Sequence, residues 1–112
     1  LRAPVGAAAD ADIREIVTAL IHETFAVAGA EGIRFPWATA DDYLAYLFSV
    51  QVPDFATVYP SMYYDVLQGR QTEIDLLNGY MARLGEHHGI PVPQNRCITR
   101  LVRYIQAHPD GA

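Results

Sequence analysis

Ser61, Glu73 and their neighbours form the densest concentration of chemistry-bearing side chains in the chain. The stretch from Pro60 to Gly79 reads P-S-M-Y-Y-D-V-L-Q-G-R-Q-T-E-I-D-L-L-N-G. Ser61 follows a proline suited to the first position of a helix, where its missing N–H costs nothing. Glu73 falls in the first turn of a second helix, opened by Thr72 and Asp75 at capping-box spacing. Helix beginnings present free amides and a positive dipole end, a natural place for an anionic group such as a substrate carboxylate. A serine hydroxyl there adds a donor of adjustable direction. Glu73 lies at the margin of its helix's apolar stripe, beside Tyr80 and Leu84, where a carboxylate can accept from a sugar hydroxyl in a cleft. The plain reading is that Ser61 is a local cap and Glu73 a favourable first-turn charge. Spacing leaves both open.

These residues need helices to hold them. Asp10 or Asp12 can cap a first helix, in which Ile13, Ile16, Val17, Leu20, Thr24, Val27 and Ala28 share one side and Gly29 and Gly32 mark the stop. His22 points away from that stripe, as a solvated side chain would. The loop from Ile33 to Ala38 carries Phe35-Pro36-Trp37, an apolar lid over the core or a wall of a ligand cleft. Thr39 and Asp42 repeat the capping-box spacing and open a helix through Tyr43, Tyr46, Leu47 and Val50. Leu44 and Phe48 widen its apolar face, so burial on more than one side is expected. Val52-Pro53-Asp54 ends it.

A short helix from Pro60 to Gly69 and a longer one from Thr72 to His88 follow. In the longer helix Ile74, Leu77, Met81 and Leu84 share one face with Asn78, whose amide then needs a hydrogen-bond partner. Gly79 beside it suggests close approach by another element, and Gly89 ends the helix. A last helix from Gln94 to Ala107 has Cys97, Ile98, Leu101, Val102 and Ile105 as its expected buried stripe. Arg96, Arg100 and Arg103 then form a solvated face or a docking surface for an acidic partner or a cofactor phosphate. No alternating strand pattern, internal repeat or second-domain boundary appears. The expected architecture is all-α, about five helices in one compact domain spanning residues 1–112.

The composition narrows the function. At 112 residues the chain can bury roughly 65% of the surface its unfolded form exposes. A net charge of −5 and a pI near 5.1 argue against nucleic acid as partner. No apolar run reaches membrane-spanning length. A single cysteine and no visible signal peptide fit a reducing, cytoplasmic setting. His87 and His88 are adjacent on a helix and point about 100° apart, so no metal site is expected there. The chain begins at Leu1, and upstream residues are expected. All eight basic residues are arginines; there is no lysine.

The motif S-M-x-x-D-x-x-x-G-R-x-T-E-I-D-x-x-N-G resembles the signature of the C-terminal domain of ketopantoate reductases (2-dehydropantoate 2-reductases). Gly89-Ile90-Pro91-Val92-Pro93-Gln94-Asn95 matches the same domain further on. E-x-x-x-V-A-x-x-x-G from Glu23 to Gly32 is a looser match upstream. The resemblance implies a helical domain like the C-terminal domain of 6-phosphogluconate dehydrogenase, closing a cleft against an N-terminal Rossmann domain that binds NADPH. It implies reduction of a 2-oxo acid to a 2-hydroxy acid in pantothenate biosynthesis. Ser61 would hydrogen-bond the substrate. Glu73 would be the catalytic residue at the cofactor–substrate junction, contacting the nicotinamide ribose or orienting the substrate. Asp65, Arg70 and Asn78 would be supporting or structural groups.

The family's general-acid lysine lies on a helix upstream of Asp12. That helix and the G-x-G-x-x-G dinucleotide fold do not occur in this chain, so the segment alone is expected to be inactive. Pro60 stands where many members have serine, a departure that bears on substrate preference. A reading from another class is a non-catalytic helical module that has kept the fold for association, for example as a homodimer.

Overall fold

The computed structural model describes residues 4–54, 56–57 and 78–108. Ser61, Asp65, Arg70 and Glu73, with the helix expected over 60–69, lie outside the described residues. Every regular element among the described residues is helical, as the periodicity required. After a 3-10 turn at Val5–Ala9 come α1 (Ala11–Ala30), α2 (Ala40–Tyr46), a π-helical turn (Leu47–Gln51), α3 (Val52–Asp54), α4 (Asn78–His88) and α5 (Pro93–Ala107). Helix α1 is the spine. It packs against α2, α4 and α5, and α4 lies along α5.

Local chemistry sets the helix ends. The Asp10 carboxylate accepts from the amides of Asp12 (3.0 Å) and Ile13 (3.3 Å) to start α1. The Thr39 hydroxyl accepts from the Asp42 amide at 3.1 Å to start α2. Helices α1 and α4 both stop at a glycine with positive φ, Gly32 (74°) and Gly89 (68°). In each the next residue's amide reaches back five residues, Ile33 to Ala28 and Ile90 to Gly85, the closing bond of a Schellman turn.

The helix opened by α2 does not end at Val52-Pro53-Asp54 as expected; it continues through them as α3. Pro53 has no N–H to donate and its ring crowds the carbonyl of Ser49, four residues back. The chain accommodates this by widening. The Val52 amide bonds to the Leu47 carbonyl, a five-residue step, across the π turn. Ser49 Oγ takes up the Ala45 carbonyl. The residues before α1 are also more regular than expected. Gly6 N–H donates to the Ala56 carbonyl at 2.9 Å, and a Cβ at Gly6 would stand 2.7 Å from that oxygen.

Among the described residues the buried apolar side chains are Val27, Ala28, Ala40, Leu44, Val52 and Val92. In the helix opened by α2, Leu44 is buried and Tyr43, Leu47 and Phe48 are half-buried, while Tyr46 and Val50 of the expected face are exposed. The loop 33–38 packs as a lid. Phe35 meets Phe25 at 4.8 Å between ring centroids, and Trp37 meets Tyr43 at 4.7 Å and Tyr46 at 5.4 Å. His22 is exposed and pairs with Asp41 at 3.1 Å.

The largest correction concerns α5. Its fully buried residues are Asn95 and Thr99; of the expected stripe Ile98 and Val102 are half-buried, whereas Cys97, Leu101 and Ile105 are exposed, as is Tyr104. The helix is rotated so that a strip of Asn95 and Thr99, flanked by Ile98 and Val102, is its most buried face. The reason is the hydrogen-bonding demand at its N-terminus, described below. The arginines are not simply solvated either: Arg96 Nη2 lies 2.9 Å from Glu86 Oε1 on α4.

Gly85 sets the spacing of the α4–α5 corner. A Cβ there would lie 2.6 Å from Val92 Cγ2 and 2.9 Å from the Ile90 carbonyl oxygen. Gly85→Ala is expected to destabilise the fold by ~1–3 kcal/mol in urea unfolding, because overpacking outweighs the gain in helix propensity. At Gly29 a Cβ would meet nothing within 4 Å, so Gly29→Ala is expected to stabilise by about 0.5–1 kcal/mol. Burial, then the nearby Tyr46, pushes the Tyr43 phenol above its ordinary value of 10.0. Folding therefore favours the protonated ring. Its contribution is intact below the unfolded value and is lost as pH rises above it. Alkaline unfolding of Tyr43→Phe is expected to show a shallower fall in stability above that pH.

Candidate functional site

Helix α5 begins without a capping side chain of its own. Val92 occupies the N-cap and Pro93 follows. The valine has no oxygen to offer and the proline no N–H, so the next amides, of Gln94 and Asn95, need acceptors from elsewhere. Glu23, on the fourth turn of α1, supplies them. Its Oε2 accepts from the Gln94 amide at 2.9 Å and its Oε1 from the Asn95 amide at 3.0 Å. The same Oε1 accepts from Asn95 Nδ2 at 2.9 Å. One carboxylate thus takes three donors and sits on the positive end of the helix dipole, where negative charge is favoured.

The network continues into α4. Asn95 Oδ1 accepts from Asn78 Nδ2 at 2.9 Å. The Asn95 carbonyl accepts from the Thr99 hydroxyl at 2.7 Å. Asn95 is 2% exposed and both ends of its side-chain amide are used. This accounts for the orientation of α5. Turning the apolar stripe inward would carry Asn95 away from Glu23 and leave buried donors unpaired, at ~1–3 kcal/mol each.

Of the residues singled out from sequence, Asn78 is the one placed here. The side chain sits at the start of α4, five residues after Glu73, and ties that end to α5. Asp65, Arg70, Ser61 and Glu73 lie outside the described residues. Glu23 and Asn95 were read only as letters of a motif. The signal that could have found them is Val92-Pro93 at a helix start, which lacks a cap and demands an acceptor from another element.

Two further features bear on binding. Phe25, Ile33, Arg34, Phe35 and Trp37 line an open cavity of about 300 Å3, so the lid is also a cavity wall. The two histidines of α4, His87 and His88, lie side by side. Their rings are 5.0 Å apart and nearly perpendicular, and His88 Nε2 lies 3.5 Å from Glu31 Oε1, too poorly aligned for a hydrogen bond. Among the described residues no group of three potential ligands converges. No helix there is long and apolar enough to cross a membrane.

Residues 1–106 match the model of the family described as ketopantoate reductase PanE/ApbA, C terminal. The 2-dehydropantoate 2-reductase of Aquifex aeolicus is 36% identical over 90 residues, covering 80% of this chain and 29% of that protein. A PanE/ApbA family ketopantoate reductase from Ralstonia eutropha superimposes with a TM-score of 0.83 at 30% identity, over 96% of this chain and 35% of that one. A dimeric ketopantoate reductase from Staphylococcus aureus does so with a TM-score of 0.77 at 26% identity, over 96% and 37%. The chain therefore spans about a third of the length of these relatives.

Removing the shared acceptor should show how much depends on it. Glu23→Ala strips two backbone amides and the Asn95 amide of their partner and is expected to cost ~2–4 kcal/mol in chemical denaturation. Glu23→Gln, which keeps one oxygen and loses the charge, is expected to fall between it and the parent.

Proposed function

This chain belongs to the ketopantoate reductase PanE/ApbA C-terminal family, and on that premise we propose that it is the substrate-side domain of an NADPH-dependent reductase acting on a 2-oxo acid of the ketopantoate type. The product is the 2-hydroxy acid, an intermediate of pantothenate biosynthesis. The observation that carries the reading is the family match across residues 1–106. An N-terminal Rossmann domain is the other half of the proposed cleft, and the cytoplasm is the proposed setting.

The cofactor would supply the hydride. The chain's own residues would bind and orient. The Ser61 hydroxyl donates to the substrate carboxylate or ketone. The Glu73 carboxylate accepts from the nicotinamide ribose or from the substrate and fixes their relative position. Asn78 bears on this through the backbone. By binding Asn95 it holds the first turn of α4, and four residues join that turn to Glu73. Asp65 and Arg70 act as supporting groups near the same stretch. No group here can serve as the lysine acid, since the chain has no lysine, so the isolated segment is proposed to be inactive.

A second reading has its own support. Leu101 is 53% and Tyr104 57% exposed on the outer face of α5. An apolar helix face of this kind suits a non-catalytic module that associates with itself or with another domain. Light scattering separates the cases, because a strictly monomeric segment rules out self-association.

The catalytic reading is tested in the full-length protein. Glu73→Ala is expected to lower kcat/KM for ketopantoate-dependent NADPH oxidation by ~100-fold or more. Ser61→Ala should act mainly through KM for the oxo acid. An unaltered rate in Glu73→Ala would remove Glu73 from the site.

A further inference from the structure

The open cavity under the 33–38 loop joins apolar walls with one guanidinium. Phe25 and Gly29, one turn apart, line it from α1; Ile33, Arg34, Phe35 and Trp37 line it from the loop. The loop is held at several points. The Ile33 amide bonds to the Ala28 carbonyl at the end of α1. Phe35 rests on Phe25 and Trp37 on Tyr43, at 4.8 and 4.7 Å between ring centroids. Ile33 is still 54% and Phe35 39% exposed, so apolar surface stays in water that a ligand would cover.

Two of the lining residues have no explanation in the packing of the fold. Gly29 lies inside α1 with no positive φ to require a glycine. A Cβ there would meet nothing within 4 Å. The glycine therefore gives up helix propensity without a packing reason, and the space it leaves empty belongs to the cavity. Arg34 is exposed, and among the described residues it makes no hydrogen bond or ion pair. The acid nearest to it in sequence, Glu31, lies instead 3.5 Å from His88.

We propose that this cavity is a binding site for a small aromatic carboxylate, with its ring among Phe25, Phe35 and Trp37 over Gly29 and its carboxylate on Arg34. The walls select the body of the ligand. Aromatic rings favour the tilted and edge-on contacts that Phe25, Phe35 and Trp37 already make with their neighbours, and a ligand ring extends that cluster. Arg34 selects the head group, because a planar guanidinium donates two parallel N–H bonds to a carboxylate. It is the one basic residue in the lining, which favours a monoanion over a phosphate. Gly29 then has a role: any side chain at that position would stand where the ring goes. The site goes beyond the reductase reading, which rests on Ser61 and Glu73.

Phenylacetate and its uncharged counterpart phenylacetamide are titrated calorimetrically into the full-length protein, with and without saturating ketopantoate. The same titrations are run on its Arg34→Ala and Gly29→Leu variants. Phenylacetate is expected to bind ~10-fold more tightly than phenylacetamide, with ketopantoate leaving that affinity unchanged. The preference for the acid is expected to vanish in Arg34→Ala, and both probes to lose ~10-fold or more in Gly29→Leu, where the new side chain fills the cavity. Equal affinities of acid and amide in the parent overturn the proposal. Affinity that ignores both substitutions overturns it, since a probe bound elsewhere would be indifferent to them. Displacement by ketopantoate overturns it in favour of the 2-oxo acid site. No binding to the full-length protein overturns it too, since the cavity is then closed to the probe. Arg34 is exposed and unpaired, so Arg34→Ala keeps the test decisive even if Gly29→Leu does not fold. Turnover of ketopantoate is expected to be unchanged in both variants, while turnover of Glu73→Ala reads the reductase proposal independently.

Discussion

A single carboxylate on α1 sets how α5, and through it the start of α4, sits on α1. Glu23 lies more than seventy residues from the amides it accepts. Until that pairing forms, the N-terminus of α5 has neither a cap of its own nor a defined rotation about its axis. Once formed, it fixes Asn95, which fixes Asn78, and through Asn78 the start of α4. Three helices are thereby referenced to one point. A hydrogen-bond network can do this where apolar packing cannot, because its geometry tolerates only a few tenths of an ångström and few alternative pairings.

That network works beside the apolar packing of the helices. Among the described residues the buried side chains include Ala28 and Ala40 and no aromatic ring. The aromatic residues lie nearer the surface, in the Phe25–Phe35–Trp37–Tyr43 cluster under the 33–38 loop. Close backbone packing takes the place of bulk elsewhere. Gly85 lets the turn after α4 lie against it, and Gly6 lets the N-terminal turn reach the end of α3. Where the chain cannot satisfy a proline, at Pro53, it widens the preceding turn and keeps the helix going.

The outer surface of α5 follows from the same cause. With its polar strip committed to Glu23 and Asn78, the apolar residues Leu101, Tyr104 and Ile105 are left facing out and the arginines turn toward α4. The arginine face and the apolar face are therefore two consequences of one rotation. In a family whose members are about three times this length, such a surface is consistent with contacts beyond the segment itself.

The sequence by itself determined the helical class, most helix boundaries and the family. Those depend on neighbours a few residues apart: the Asp10 and Thr39 caps, the Gly32 and Gly89 stops, the 3.6-residue periodicity of α1. It also showed that Asn78, on an apolar face, needs a partner, though not which one. Only the tertiary structure decided the facing of α5, the continuation of the chain through Pro53 as helix, and the convergence of Glu23, Asn78 and Asn95. The physical reason is that periodicity counts apolar residues, whereas rotation about a helix axis is settled by the strongest unmet demand along it. Here that demand is two bare amides after Val92-Pro93 and a buried asparagine, and the carboxylate that meets it comes from the far end of the chain.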